Sequence, residues 1–337
     1  MIFDDAPDVA EVGLPTVPAQ GDARFADGTP ASAVLGGRVV VLANGRSGAG
    51  PAGVAACERL DASVRELGGS CEILRTGAAL SMGEALERLR TIECDAMVAV
   101  GGDGTVAGVA SVASARGVVF ALLPAGTMNM VAKDLRLPLD PGLAAEQIRG
   151  WVVGRIDVAA SNGHVFLHSS LLGLIPRLGR LRERVRASRS MRERLRWMAL
   201  GVRAIGRTPM LHLTLRTGEH EQVFRTPALV VTNNPLSAAN WLTHDREGLE
   251  SGRLGVYASA HRGVFGRVML LATLASGRLP ADPHMIAGAC DAFTVDAKRR
   301  TLIVSNDGEI LHLQTPIRYE SRPRGLIVLR PPEGAGS

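Results

Sequence analysis

Aromatic residues make up only 4% of this 337-residue chain, and cysteine occurs four times. With so few rings there is no stacking platform of the kind single-stranded nucleic acids use, which argues against a nucleic-acid partner. Cys57, Cys71, Cys94 and Cys290 stand far apart without a C-x-x-C pair, so they read as buried reduced thiols of a reducing compartment. Eight histidines, scattered over the second half, show no metal-ligand spacing. No run approaches the roughly 18 apolar residues of a membrane span. Met1 to Gln20 has neither a basic start nor a continuous apolar stretch, so no secretory signal is expected. These absences predict a cytoplasmic protein whose contact with a membrane is peripheral.

What the chain has in quantity is aliphatic and small residues. It is 46% apolar, long enough for two domains with substantial aliphatic cores. The formal net charge is +5 and the pI about 9.5, which suits an acidic partner. The charge is concentrated: Arg177 to Arg207 holds eleven arginines against Glu183 and Glu193. Leu178, Leu181, Val185, Leu195, Trp197, Met198, Leu200, Val202 and Ile205 interleave with them at helical spacing. Such a helix, about 177–206, suits either contact with an anionic membrane surface or a solvated face packed on the second domain.

The most informative stretch is Val98-Ala99-Val100-Gly101-Gly102-Asp103-Gly104-Thr105, an apolar strand running into a glycine-rich turn. Bare backbone amides in such a turn can approach a phosphate closely. The carboxylate of Asp103 among them suggests Mg²⁺, nucleotide orientation or proton handling, and a plain strand-to-helix turn is the alternative. Two more strands enter comparable loops. Arg38 to Ala43 leads into Asn44-Gly45-Arg46-Ser47-Gly48-Ala49-Gly50, and Val118 to Leu123 into Pro124-Ala125-Gly126-Thr127-Met128-Asn129.

Between them, helical spacing of Val54, Cys57, Leu60, Val64 and Leu67 precedes a short strand, Ser70 to Leu74, that ends at Arg75-Thr76. Ser81 caps a predicted helix over Met82 to Thr91, and another starts near Val106. Alternating strands and helices predict an α/β domain with a parallel sheet, whose ligands bind at the carboxyl ends of the strands. From Gly154 the texture changes to short β-like runs: 155–160, 164–168, 210–216, 222–232, 253–259, 292–296, 301–305, 310–314 and 325–330. With a helix at about 264–277, they predict a β-rich, sandwich-like second domain. The expected division is a disordered tail over 1–35, a nucleotide-binding domain over 36–153 and a lipid-substrate domain over 154–331. A return of the C-terminal strands to the first domain is left open.

Taken together these motifs resemble the diacylglycerol kinase catalytic family of lipid kinases, which includes bacterial diacylglycerol kinases, ceramide kinases and sphingosine kinases. The resemblance spans about 38–331. The family's Asn-Pro-x-Ser-Gly-x-Gly loop is matched at 44–50 with Gly45 for Pro, and Gly101-Gly102-Asp103-Gly104-Thr105 matches in full. Pro-x-Gly-Thr-x-Asn-Asp is matched at 124–129, with Met130 where Asp is common. Ile156-Asp157-Val158 with Asn162-Gly163-His164 looks like the entry to the family's β-rich domain. Ser305-Asn306-Asp307-Gly308-Glu309 resembles its Asp-Gly-Glu turn, which as a bare pattern also reads as a type I′ hairpin.

The resemblance implies that Asn44, Ser47, Gly48, Thr76, Gly101 to Ala107 (including Val106), Gly126, Thr127 and Asn129 bind ATP. It implies Glu309 as proton acceptor, with Asp103 and Asp307 as further catalytic and Mg²⁺-handling residues. Where the family has Asp-Gly-x-Leu at a metal site, this chain has Ser251-Gly252-Arg253-Leu254, with Glu250 as the neighbouring carboxylate. Trp241 is a candidate for the acceptor cleft. The expected function is ATP-dependent phosphorylation of a membrane lipid hydroxyl, on diacylglycerol, ceramide or a sphingoid base. NAD kinase-like activity and an inactive nucleotide- or lipid-binding module are the alternatives. Oligomeric state is not legible.

Overall fold

The computed structural model describes residues 24–45, 50–174, 176, 190–193, 196, 205, 209–237, 246, 248–275 and 282–332. The chain divides into two compact units. Residues 24–158 and 323–332 belong to an α/β unit, and the described residues between 159 and 322 form a β unit.

The α/β unit is built on parallel strands. Chain order gives a short helix α1 (Ala31–Leu35), β1 (Arg38–Asn44), α2 (Gly50–Glu66), β2 (Ser70–Thr76), α3 (Met82–Thr91), β3 (Ala96–Gly101), α4 (Asp103–Arg116) and β4 (Val119–Pro124). Two short helices, α5 (Met130–Asp134) and α6 (Pro141–Gln147), precede β5 (Val152–Ser161). The sheet order is β2-β1-β3-β4, all parallel. Every residue of β3 and β4 is buried, as are Val39 to Leu42 of β1, which is why these strands read as unbroken apolar runs. Ser81 and Glu84 exchange hydrogen bonds as a capping box that starts α3, and Gly117, at φ 63°, ends α4 in the left-handed region that glycine enters freely.

The β unit contains β6 (His164–Phe166), β7 (Ser169–Gly173), β8 (Leu211–Thr217), β9 (His220–Thr226), β10 (Ala228–Asn233) and β11 (Leu254–Ser259). After helix α7 (Gly263–Ala275) come β12 (Met285–Cys290), β13 (Ala292–Ala297), β14 (Thr301–Asn306), β15 (Glu309–Gln314) and the long β16 (Ile317–Arg330). One antiparallel sheet has the order β12-β11-β10-β7-β14-β15. A second layer has β13 paired with β8 and with the first part of β16, and β8 with β9. Leu172, Val231, Val256 and Val304 from the first sheet share one core with Leu213, Phe293, Val295 and Tyr319 from the second, which makes the unit a β-sandwich. Leu274 of α7 covers part of the other face of the first sheet, beside Val230 and Tyr257.

Several boundaries differ from expectation. The disordered tail does not extend to residue 35. Gly28 and Ala31 donate backbone hydrogen bonds to Val153 and Trp151, and Ala31, Val34 and Leu35 are wholly buried, so an apolar turn docks where composition suggested only Pro, Gly and Asp. The run 222–232 is two strands, because Pro227 has no N–H to continue a ladder. β7 and β12 fall outside the expected runs, their polar serines and small residues hiding the pattern. The second part of β16 leaves β13 and pairs in parallel with β4 at Val328 and Phe120, a return to the α/β unit. There the N–H of Arg324 donates to Oδ1 of buried Asp157, tying the outgoing strand to the returning one. The basic segment 177–207 lies outside the described residues apart from 190–193, 196 and 205.

Candidate active site

In a parallel sheet the strands end together, and here that edge collects the glycine loops. Asn44 closes β1 in register with Thr76 of β2, and Gly101 of β3 is in register with Pro124 of β4. The Nδ2 of Asn44 donates to Oγ1 of Thr105 at 3.1 Å, and Oγ1 of Thr76 donates to Oδ1 of Asn44 at 3.4 Å. A Cβ on Gly101 would lie 2.7 Å from Oγ1 of Thr105, so glycine is what lets the first turn of α4 fold back on its own strand. Thr105 and Val106 are buried, while Gly104 is exposed, with nothing within 4 Å of where its Cβ would stand. The loop therefore presents backbone rather than side chains at the start of a 14-residue helix, where amides and the macrodipole favour an anion.

Asp103 does more than decorate that loop. Its Oδ2 accepts the N–H of Asn129 at 3.1 Å and its Oδ1 the N–H of Met130 at 2.7 Å. The carboxylate thus ties the second glycine loop to the third, at the start of α5. Each oxygen keeps a further lone pair for a metal-bound water or an ion. Met130 takes part through its backbone, which is why the chain tolerates an apolar residue there. The side chain of Asn129, at φ 48°, accepts from the Gly126 N–H and donates to the Gly126 carbonyl, both at 3.0 Å. A Cβ on Gly126 would lie 2.5 Å from the Cα of Gly102, so the two loops meet backbone to backbone. Asn129 and Asp103 therefore shape the edge, on which Gly104 and Thr127 are exposed.

The first loop also departs from its pattern for a visible reason. The N–H of Gly45 donates to the Thr76 carbonyl at 3.3 Å, and a Cβ there would stand 2.6 Å from that oxygen. Ser47 and Gly48 lie outside the described residues.

In the β unit, Asp307 and Gly308 form the two-residue turn of the β14–β15 hairpin, with φ 46° and 92°, and Asn306 pairs with Glu309. Positive φ at both positions is the type I′ geometry that the bare pattern allowed. The Asp307 carboxylate accepts three backbone bonds, from Leu167 at 2.6 Å, His168 at 3.0 Å and Ser169 at 2.8 Å. Burial pushes its carboxyl above the ordinary value, while the amides of Leu167, Ser169 and His168 and the charge of Arg246 pull it back. Asp307 anchors the turn through these three amide hydrogen bonds. Glu309 is exposed beside it.

The signal for this anchor was not available in the sequence, since Leu167 to Ser169 contribute only their backbones. At the position of the family's Asp, Ser251 accepts hydrogen bonds from Nδ2 of Asn234 at 2.9 Å and from the N–H of Arg253 at 3.3 Å. Trp241 lies outside the described residues. All four thiols are free, and burial raises those of Cys71 to about 11 and Cys290 to about 12, which disfavours their thiolate forms.

No helix of the described residues is long and apolar enough to cross a membrane. Residues 38–161 match the diacylglycerol kinase catalytic domain. A protein of Staphylococcus haemolyticus (strain JCSC1435) named a "putative lipid kinase" is 27% identical over 254 residues, covering 72% of this chain and 79% of that protein. A Bacillus anthracis str. Sterne structure described as a "putative diacylglycerol kinase" superposes with a TM-score of 0.66 at 18% identity, covering 88% of this chain and 98% of its own. A second from the same organism, described as a diacylglycerol kinase, gives 0.61 at 17% identity over 88% and 97%. At those identities the structures speak to fold alone. In sequence over 38–161 and in fold, the chain resembles the diacylglycerol kinase catalytic family of lipid kinases.

Proposed function

We propose that the protein is an ATP-dependent lipid kinase that phosphorylates a hydroxyl of a membrane lipid such as diacylglycerol or ceramide. The observation that carries this reading is the shared sheet edge, where Asp103 joins two glycine loops and bare backbone faces open space at Gly104. Amides of Gly102 and Gly104 would hold the phosphates, and Thr127 would contact the nucleotide. ATP would supply the phosphoryl group, and Mg²⁺ when bound would neutralise charge on it. The hard oxygens of Asp103, each with a spare lone pair, fit Mg²⁺ directly or through water. Glu309 accepts the proton of the lipid hydroxyl, and the Asp307 anchor fixes the hairpin that carries it. Such a base is worth about 10² to 10⁴ in rate.

A lipid substrate requires the protein to visit a surface. The arginine-rich segment 177–207 would supply attraction to anionic lipid. Helix α7 adds Val264, Phe265, Val268 and Met269, all exposed and on one side of the helix, with Phe265 79% exposed. This supports peripheral contact with the inner face of the cell membrane.

Transfer of labelled γ-phosphate from ATP to diacylglycerol, ceramide, sphingosine or NAD in mixed micelles tests the proposal. One labelled lipid is expected, with kcat reduced about 10² to 10⁴-fold in Glu309→Gln at unchanged thermal stability. Labelled NAD alone, or no labelled product, would overturn it.

A further inference from the structure

His261 stands 21 residues before Asp282, which is separated from His284 by Pro283 alone, and the scatter of histidines gave no sign that the three meet. Strand pairing brings them together. β11 and β12 run antiparallel with Ser259 opposite Met285, and the N–H of Ala260 donates to the His284 carbonyl at 2.8 Å, so the ladder continues past the strand ends. Asp282 and Pro283 open a tight turn, closed by the Met285 N–H on the Asp282 carbonyl at 3.0 Å. Proline in the second position pre-sets this turn, which points the Asp282 carboxylate back at the two rings.

The three groups are held rather than merely adjacent. The Asp282 side chain is only 9% exposed and that of His261 6%, whereas His284 is 66% exposed. Oδ2 of Asp282 accepts the Thr273 hydroxyl of α7 at 2.6 Å, and Oδ1 accepts the His284 N–H at 2.8 Å. Nδ1 of His261 lies 3.0 Å from Oγ of Ser259, an outer hydrogen bond that orients the ring and turns Nε2 toward the carboxylate. Nε2 then stands 3.5 Å from Oδ2, and Nδ1 of His284 is 3.5 Å from Oδ1.

Those separations are long for N–H···O bonds, which lie near 2.9 Å. Each is close to the spacing of two ligands on one cation, but they run to different oxygens of Asp282, Oδ2 for His261 and Oδ1 for His284, so a shared ion requires the exposed His284 ring to shift. Ligands about 2.0–2.2 Å from a tetrahedral cation are about 3.3–3.6 Å from one another. One ligand atom from each of the three residues falls within 4.8 Å of the others, and exposed His284 has the rotamer freedom to close the remaining gap. Two imidazoles and one carboxylate suit a borderline-soft ion such as Zn²⁺ or Co²⁺, not Mg²⁺, which takes oxygen ligands.

We propose that His261, Asp282 and His284 bind a divalent cation of the Zn²⁺ type, with water as the fourth ligand. The site joins the end of β11, α7 through Thr273, and the start of β12. A cation there clips the excursion between the paired strands and stabilises the folded state by mass action. This inference is independent of the kinase reading.

The test uses the full-length, untagged protein freed of metal by chelation, titrated with Co²⁺ and then Zn²⁺. Expected are one equivalent of Co²⁺ with the visible spectrum of a tetrahedral N/O site, displacement by Zn²⁺, a Zn²⁺-dependent rise in Tm, and no such response to Mg²⁺. His284→Ala changes an exposed residue and should weaken Co²⁺ binding about tenfold or more, since loss of even an outer-sphere partner costs about 10 to 100-fold. Asp282→Asn should do the same. Absence of saturable Co²⁺ binding, or binding unchanged in His284→Ala, would show the cluster to be a plain His–Asp ion pair and overturn the proposal.

Discussion

The contact between Gly126 and Gly102 allows a sharp separation of stability from catalysis. Adding one methyl at Gly126 puts it 2.5 Å from the Gly102 Cα and 2.9 Å from Oδ1 of Asn129. Neither neighbour is the free end of a flexible side chain. One is backbone, and the other is held by two bonds to Gly126 itself. Gly126→Ala must therefore separate the second and third loops, and overpacking of this kind costs about 1–3 kcal/mol. At about 2–4 °C per kcal/mol for a domain of this size, Tm should fall by about 2–12 °C.

Gly104→Ala is the matched control. Its Cβ would meet nothing within 4 Å, and the position lies in the first turn of α4, where alanine is the better helix former. Its Tm should hold or rise slightly, while phosphate transfer falls because the new methyl occupies the space a phosphate needs. Calorimetry and the labelled-phosphate assay on both variants read the two effects. If Gly126→Ala melts like wild type, or if Gly104→Ala is the less stable of the two, the close backbone approach is not what shapes this edge.

Further expectations follow from the same geometry. Asp103→Asn keeps the shape but sets an amide NH₂ against one of the N–H donors of Asn129 and Met130, which should cost about 1–3 kcal/mol and lower phosphate transfer; an unchanged Tm would refute the inter-loop tie. Asp307→Asn opposes a donor to the amides of Leu167 to Ser169 in the same way, and hydrogen exchange at those amides should accelerate. Gly45→Pro restores the residue usual in the resembling family, yet here it removes the N–H to Thr76 and crowds its carbonyl. A loss of about 1–3 kcal/mol is expected, and a gain in Tm would contradict the described loop.

The sequence by itself determined the elements whose cause is local. Buried parallel strands need apolar residues on both faces, so β1, β3 and β4 were legible as uninterrupted runs, and Ser81 as a cap marked the start of α3. Glycine spacing marked the loops, because only a missing side chain permits the approaches seen at Gly101 and Gly126. Tertiary structure decided what depends on partners distant in the chain. The family resemblance implied Mg²⁺-handling roles for Asp103 and Asp307, and only folding shows that each carboxylate also accepts backbone amides whose own residue types are immaterial. The docking of Ala31–Leu35 on Trp151 and Val153, the return of β16 to β4, and the meeting of His261 with Asp282 and His284 are likewise pairings across long loops. Backbone hydrogen bonds and strand register, which carry no side-chain signature, create them.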